Sequence, residues 1–127
     1  YDTGDVAALD ADDAPCPCGR NFPRLSGLIG RDTDVVRLPS GRSMIVHFFT
    51  AIFEHIPEIQ QFQIVQTALD SIEVHYIKGC GCTLGVLRRI ERDILENLGE
   101  EVNITFIEVD RIPSAPSGKP QIVISRL

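Results

Sequence analysis

Tryptophan is absent from this chain, methionine occurs once, at Met44, and only two tyrosines are present. The fold therefore cannot be organised around indole rings, and no adaptable methionine-rich binding surface is available. Long hydrophobic runs are missing too. The longest apolar stretch, Met44 to Phe53, is interrupted by His47 and is far too short to span a bilayer. The N-terminus shows no signal-peptide pattern, so the chain reads as cytoplasmic. Lysine and arginine, 12 together, are outnumbered by 18 acidic residues and form no basic stripe. A net charge of -6 without such a stripe argues against nucleic acid and against an anionic membrane as partners. The chain starts at Tyr1 rather than at methionine, and is expected to be a piece of a longer polypeptide.

With 127 residues, of which 43% are hydrophobic, there is material for one good core. Residues 1–34 hold Gly4, Pro15, Pro17, Gly19, Pro23, Gly27 and Gly30 without a sustained period, and read as an irregular segment. Regular patterning begins at Val35. Val35, Val36 and Leu38, the turn Pro39-Ser40-Gly41-Arg42, and Met44-Ile45-Val46 predict a short hairpin. Phe49, Ile52, Phe53 and Ile56 share one helix face, and Pro57 stops that helix. Phe62–Gln66 reads as a strand. Ile72, Val74 and Tyr76 alternate with Glu73 and His75 as a strand with one buried face.

Leu84, Leu87, Ile90, Ile94 and Leu98 then form the stripe of a second helix, with Thr83 placed to cap it and Gly99 placed to end it. Val102, Ile104 and Phe106 alternate as a last core strand. From Met44 the order is strand, helix, strand, strand, helix, strand. This predicts an α+β fold, a ferredoxin-like split βαβ sandwich with two helices on one face of an antiparallel sheet.

Three segments carry possible chemistry. In Tyr1-Asp2-Thr3-Gly4-Asp5, the carboxylate of Asp5 suits a vicinal diol such as a ribose. Gly30-Arg31-Asp32-Thr33-Asp34 joins the irregular segment to the regular one and suits a hinge. Near the end, Pro113, Pro116 and Pro120 fence a loop that carries Gly118-Lys119, holding a cation where little backbone freedom remains. This loop is not a Walker A motif, because Pro120 stands where Ser or Thr would hold magnesium.

Taken together, Tyr1-x-Thr3-Gly4-Asp5, Gly30-Arg31-x-x-Asp34 followed by Gly41, and the proline-bearing loop ending Gly118-Lys119 resemble the C-terminal part of the adenylate-forming (AMP-binding) ligases. Cys16-Pro17-Cys18-Gly19-Arg20 and Ile59-Gln60-Gln61-Phe62-Gln63-Ile64-Val65-Gln66 are similar, more narrowly, to the phenylacetate-CoA ligase branch. That branch includes the capsular-polysaccharide CapK proteins and the methanogen synthetase that adenylylates a deazaflavin cofactor. The resemblance implies that Asp5 holds the ATP ribose, that Arg31 lies near the same nucleotide, and that Lys119 is the catalytic cation of adenylation. It implies ATP with magnesium, held mainly by a large N-terminal adenylation domain of the same polypeptide, a small-molecule acid as substrate, and coenzyme A as an acceptor. It places a pivot at Asp32, Thr33 and Asp34, with residues 1–34 ending the large domain and linker and 35–127 forming a mobile domain. The chain alone is expected to be inactive.

Two alternatives stand beside this expectation. A ferredoxin-like body also suits a small-ligand-binding or dimerisation module without catalysis, and a homodimer stays open. Cys16, Cys18, Cys80 and Cys82 form two Cys-x-Cys pairs, which would serve as zinc ligands, free thiols or disulfides. His47, His55 and His75 read as surface or satisfied residues.

Overall fold

The structure is a computed structural model that describes residues 5–11, 15–31 and 34–127. The segment Tyr1–Gly4 and the hinge residues Asp32 and Thr33 lie outside the described residues. The chain divides into two compact units, Tyr1–Thr33 and Asp34–Leu127.

In the first unit, β1 (Asp5–Leu9) and β2 (Leu25–Arg31) pair antiparallel. The stretch read as irregular thus contains one regular pair. Its glycines and prolines are concentrated between and inside the strands, and two register shifts, at Val6/Ala7 and Ala8/Leu9, break the alternation that would reveal a strand. Arg24 closes the unit by donating to Asp10 at 2.9 Å.

The second unit opens with β3 (Val35–Arg37) and β4 (Ser43–Ile45), paired as the predicted hairpin. Helix α1 (Val46–Phe53) follows without a loop and buries Phe49 and Phe53 at i, i+4. It ends before Ile56, which is held in a turn by its N–H donating to the Phe53 carbonyl, and Pro57 forbids continuation. The strands β5 (Ile59–Ala68) and β6 (Ser71–Lys78) are each longer than the apolar pattern indicates, since their mutual antiparallel pairing carries the ladder past the hydrophobic positions. Helix α2 (Leu84–Leu98) buries Ile90, Ile94 and Leu98 and ends at Gly99, whose φ of 68° is open to glycine at little cost. Thr83 occupies the N-cap position in extended conformation, but its hydroxyl makes no capping hydrogen bond. The chain finishes with β7 (Asn103–Glu108) and β8 (Val123–Ser125).

These elements form an α+β fold in which two helices pack with a four-stranded sheet, compatible with a ferredoxin-like split βαβ arrangement. The strand order is β7-β6-β5-β8. In two particulars it differs from the sequence expectation. The hairpin strand β4 stays with β3 instead of joining the four-stranded sheet, where β6 and β7 pair directly and the fourth strand is β8, at the edge beside β5, with Val123 fully buried. The sheet is also mixed: only β5 and β6 run antiparallel, while β6–β7 and β5–β8 are parallel. The first of these parallel pairs follows from the α2 crossover, because a helical connection returns the chain to the same end of the sheet.

Register puts Ile64 opposite Val74 and Gln66 opposite Ile72, so these side chains share the face that meets Phe49, Ile90 and Ile94 in one core. Phe53 stacks on Phe62 with ring centroids 3.9 Å apart. Polar side chains tie the β3–β4 hairpin to this body. Gln66 is fully buried: its Oε1 accepts from the Arg37 N–H at 2.9 Å, and its Nε2 donates to the carbonyls of Arg37 and Ala68. Arg42 donates to the Leu98 carbonyl at 2.9 Å and pairs with Glu100 at 3.6 Å, placing a cation at the negative end of α2. Arg42→Ala is expected to cost about 0.5–1 kcal/mol, read as a lower urea midpoint at unchanged slope. An unchanged midpoint would show the contact to be idle. Among the described residues no helix is long and apolar enough to cross a membrane.

Candidate functional site

Lys119 is built into a small, well-defined hairpin. Ser114 and Pro120 form an isolated antiparallel bridge, the Ala115 N–H donates to the Lys119 carbonyl at 2.9 Å, and the Gly118 N–H donates to the Ala115 carbonyl at 2.8 Å. Between them Pro116 opens the turn and Gly118 takes φ 78°, a left-handed conformation that a residue with a Cβ adopts only under strain. A turn followed by a left-handed glycine is the usual build of a three-residue hairpin loop. Lys119 follows that glycine and is exposed, and among the described residues its ammonium makes no hydrogen bond or ion pair.

The hairpin is held from both sides. It leaves the sheet after β7, at one edge, where the Val109 N–H still donates to the Tyr76 carbonyl at 2.9 Å. It rejoins at β8, the other edge, where the Ile64 N–H donates to the Ile122 carbonyl at 2.7 Å. Gln63, only 4% exposed, adds a bond from its Nε2 to the Gln121 carbonyl at 2.7 Å. The crossing occurs where β6 and β7 end and β5 begins. A cavity of about 320 Å³ lies under the base of the hairpin, lined by Gln60, Gln61, Phe62, Ile112, Ser114 and Pro120 among others. It is apolar with a few amide and hydroxyl groups, the composition of a small-molecule cleft.

At the opposite end of the sheet a second depression is lined by Asp70, Glu96, Glu100 and Glu101. Its carboxylates repel anions, which disfavours a phosphate-bearing ligand at this end.

Asp5 and Arg31 are backbone register partners at one end of the β1–β2 pair. The Asp5 side chain is exposed. The two nucleotide candidates of the first unit are therefore brought together, while Lys119 belongs to the second unit. Asp34, the described residue of the hinge motif, is half-buried at the start of that second unit.

The cysteines separate likewise, Cys16 and Cys18 in the first unit and Cys80 and Cys82 in the loop after β6 in the second. Among the described residues no group of three or more His, Cys, Asp or Glu side chains is placed to hold a metal ion. His75 pairs with Glu73 at 2.8 Å, and His55 lies 3.3 Å from Glu54. Burial, followed by Glu108 and Cys82, raises the pKa of Tyr76, which keeps its phenol protonated at the edge of the core. The sequence assigns no individual role to Gln63, Gln66 or Arg42. For Gln66 a signal existed, since it continues the inward alternation of Phe62 and Ile64.

A family model described as the CapK C-terminal domain matches residues 38–126. No curated protein matches the chain. Among solved structures, one from work on fatty acyl-adenylate ligases from E. coli and L. pneumophila superimposes with a TM-score of 0.64 at 22% identity, over 94% of this chain and 20% of its own. A 2-hydroxyisobutyryl-CoA ligase in the postadenylation state, in complex with 2-HIB-AMP, gives 0.57 at 20% identity over 97% and 28%. A domain of phenylacetate-coenzyme A ligase from Bacteroides vulgatus ATCC 8482 gives 0.54 at 17% identity over 74% and 93%. At these identities the likeness is one of fold. The chain spans between a fifth and 28% of the length of the two larger ligases.

Proposed function

Because the chain belongs to the CapK C-terminal domain family, we propose that it is the C-terminal part of an ATP-dependent, AMP-forming ligase. Such an enzyme activates a carboxylic or aryl acid to its acyl-adenylate and then forms a thioester on coenzyme A. The observation that carries this reading is the Lys119 hairpin, an ammonium without a partner among the described residues on a hydrogen-bonded loop whose two ends are held by opposite edges of the sheet.

The chemistry suits that group. Attack of a substrate carboxylate oxygen on the α-phosphorus of ATP expels pyrophosphate and places extra negative charge on the transferring phosphoryl. A cation brought into a water-excluded cleft stabilises that charge more in the transition state than in the ground state. Asp5, exposed and opposite Arg31, suits the ribose hydroxyls as acceptor, with Arg31 beside the same nucleotide. Magnesium would accompany the ATP phosphates on the large domain, and zinc has no described cluster to hold it.

In this reading residues 1–34 close the large domain and form the joint. Residues 35–127 are the mobile body, and the pivot is at Asp32, Thr33 and Asp34. The partners are the large adenylation domain of the same polypeptide and a small acid, and the compartment is the cytoplasm, where ATP and coenzyme A are at hand. The 127-residue chain by itself is expected to give no acid-dependent exchange of pyrophosphate into ATP, whereas the full-length protein gives exchange that depends on its acid substrate. Failure of the full-length protein to exchange with any of a broad panel of acids, together with an unchanged cellular role on loss of Lys119, would favour a non-catalytic module.

A further inference from the structure

The turn that carries the first cysteine pair has a geometry the ligase reading does not use. Cys16 Sγ and Cys18 Sγ are in contact at 2.8 Å, and the Gly19 N–H donates to the Cys16 carbonyl at 2.9 Å. The four residues Cys16-Pro17-Cys18-Gly19 therefore make a β-turn with proline at its second position, where the ring fixes φ. Proline stiffens the link between the two sulfurs, so little chain entropy remains to be lost when they join. Cys18 is exposed and Cys16 is half-buried.

The separation distinguishes between possible uses of the pair. Two thiolates on one tetrahedral zinc, with Zn–S bonds of about 2.3 Å, stand roughly 3.8 Å apart. At 2.8 Å the sulfurs stand closer to each other than two ligands of one zinc would, a spacing that suits their meeting each other and not a shared metal. The second pair, Cys80 and Cys82, makes no such contact among the described residues.

The geometry points to Cys16 and Cys18 as a dithiol that closes reversibly into a disulfide by exchange with a low-molecular-weight disulfide such as oxidised glutathione. The Cys18 thiolate attacks one sulfur of oxidised glutathione, a Cys18–glutathione bond forms, and one glutathione thiolate leaves. Cys16 then loses its proton and attacks the Cys18 sulfur, the intramolecular bond forms, and the second glutathione departs as thiolate. Two protein thiols are oxidised, one glutathione disulfide is reduced to two thiols, and the protons released by the cysteines end on glutathione and solvent. Exposure makes Cys18 the first nucleophile. Hydrogen bonding favours the same order: the Cys16 thiol, then a backbone contact near Arg20, lowers the pKa of Cys18 and raises its thiolate share at neutral pH.

The test uses the whole 127-residue chain, treated with excess oxidised glutathione, alkylated and cut with trypsin. Cleavage after Arg20 isolates Cys16 and Cys18 in the peptide of residues 1–20, and cleavage after Lys78 and Arg88 isolates Cys80 and Cys82 in residues 79–88. The expected result is a 1–20 peptide lighter by two hydrogens and unalkylated, restored to two alkylated thiols by prior reduction with dithiothreitol. In Cys16→Ser the same peptide should instead retain glutathione on Cys18. The proposal is overturned if the wild-type peptide is fully alkylated after the oxidant, if it keeps a glutathione adduct as Cys16→Ser does, or if the purified chain carries stoichiometric zinc that Cys16→Ser releases.

Discussion

Replacing Lys119 by alanine in the full-length protein should leave ATP binding in place and cut acid-dependent pyrophosphate exchange by about a hundredfold or more. The loss is large because the ammonium acts on charge that develops during phosphoryl transfer, not on charge already present in bound ATP. It should therefore fall on kcat, with little change in the KM for ATP. Conversion of preformed acyl-adenylate to the thioester should be spared in the same variant, since the lysine belongs to the first half-reaction. Exchange at the wild-type rate would remove Lys119 from the mechanism. Loss of both half-reactions together would point to a structural defect instead.

The second large effect is expected at Gln66. Its side-chain amide bonds to Arg37 as a neighbouring strand's backbone would, accepting from the N–H and donating to the carbonyl, with Ala68 taking a further bond. Gln66→Leu keeps the volume but strands the Arg37 N–H and carbonyl in a partly buried setting. Each unsatisfied group costs about 1–3 kcal/mol, so a loss of about 2–4 kcal/mol in unfolding free energy is expected. Chemical denaturation measures it, and amide exchange should show β3 opening ahead of the sheet. A loss below about 1 kcal/mol, within the net worth of one ordinary hydrogen bond, would mean that water replaces the amide and that the hairpin is held chiefly by Val36 and Leu38.

Much of this architecture is legible in the sequence because its elements are long and one-sided. Helix α2 shows a stripe from Ile90 to Leu98 with a glycine stop, and β6 alternates strictly, so period alone locates both. The strand β8 is not legible. Three residues cannot display a period, and its parallel pairing with β5 depends on the path of residues 109–122, which no local pattern encodes. The same holds for β4, whose three residues could belong to a sheet or to a hairpin until the contact of Gln66 with β3 decides it. In the site, Gly118-Lys119 is visible because glycine and proline announce a turn, whereas the grip of Gln63 on Gln121 joins residues far apart in sequence and leaves no local trace. Asp5 and Arg31 are readable as residue types, but their apposition appears only once β1 and β2 are paired.

The path of residues 109–122 has a mechanical implication. A loop anchored at one edge flaps like a lid on its own hinge. A loop anchored at both edges of a four-stranded sheet behaves as a spoke fixed to the wheel. Slow hydrogen exchange at the Ala115 and Gly118 amides, comparable to that of β8, would confirm the stiffness, and exchange at the rate of an open chain would refute it. If the spoke is stiff, Lys119 has no travel of its own. In a ligase of the proposed kind its charge then enters or leaves the reaction only when the whole body turns, so the angle between the domains is also the throttle of the first chemical step.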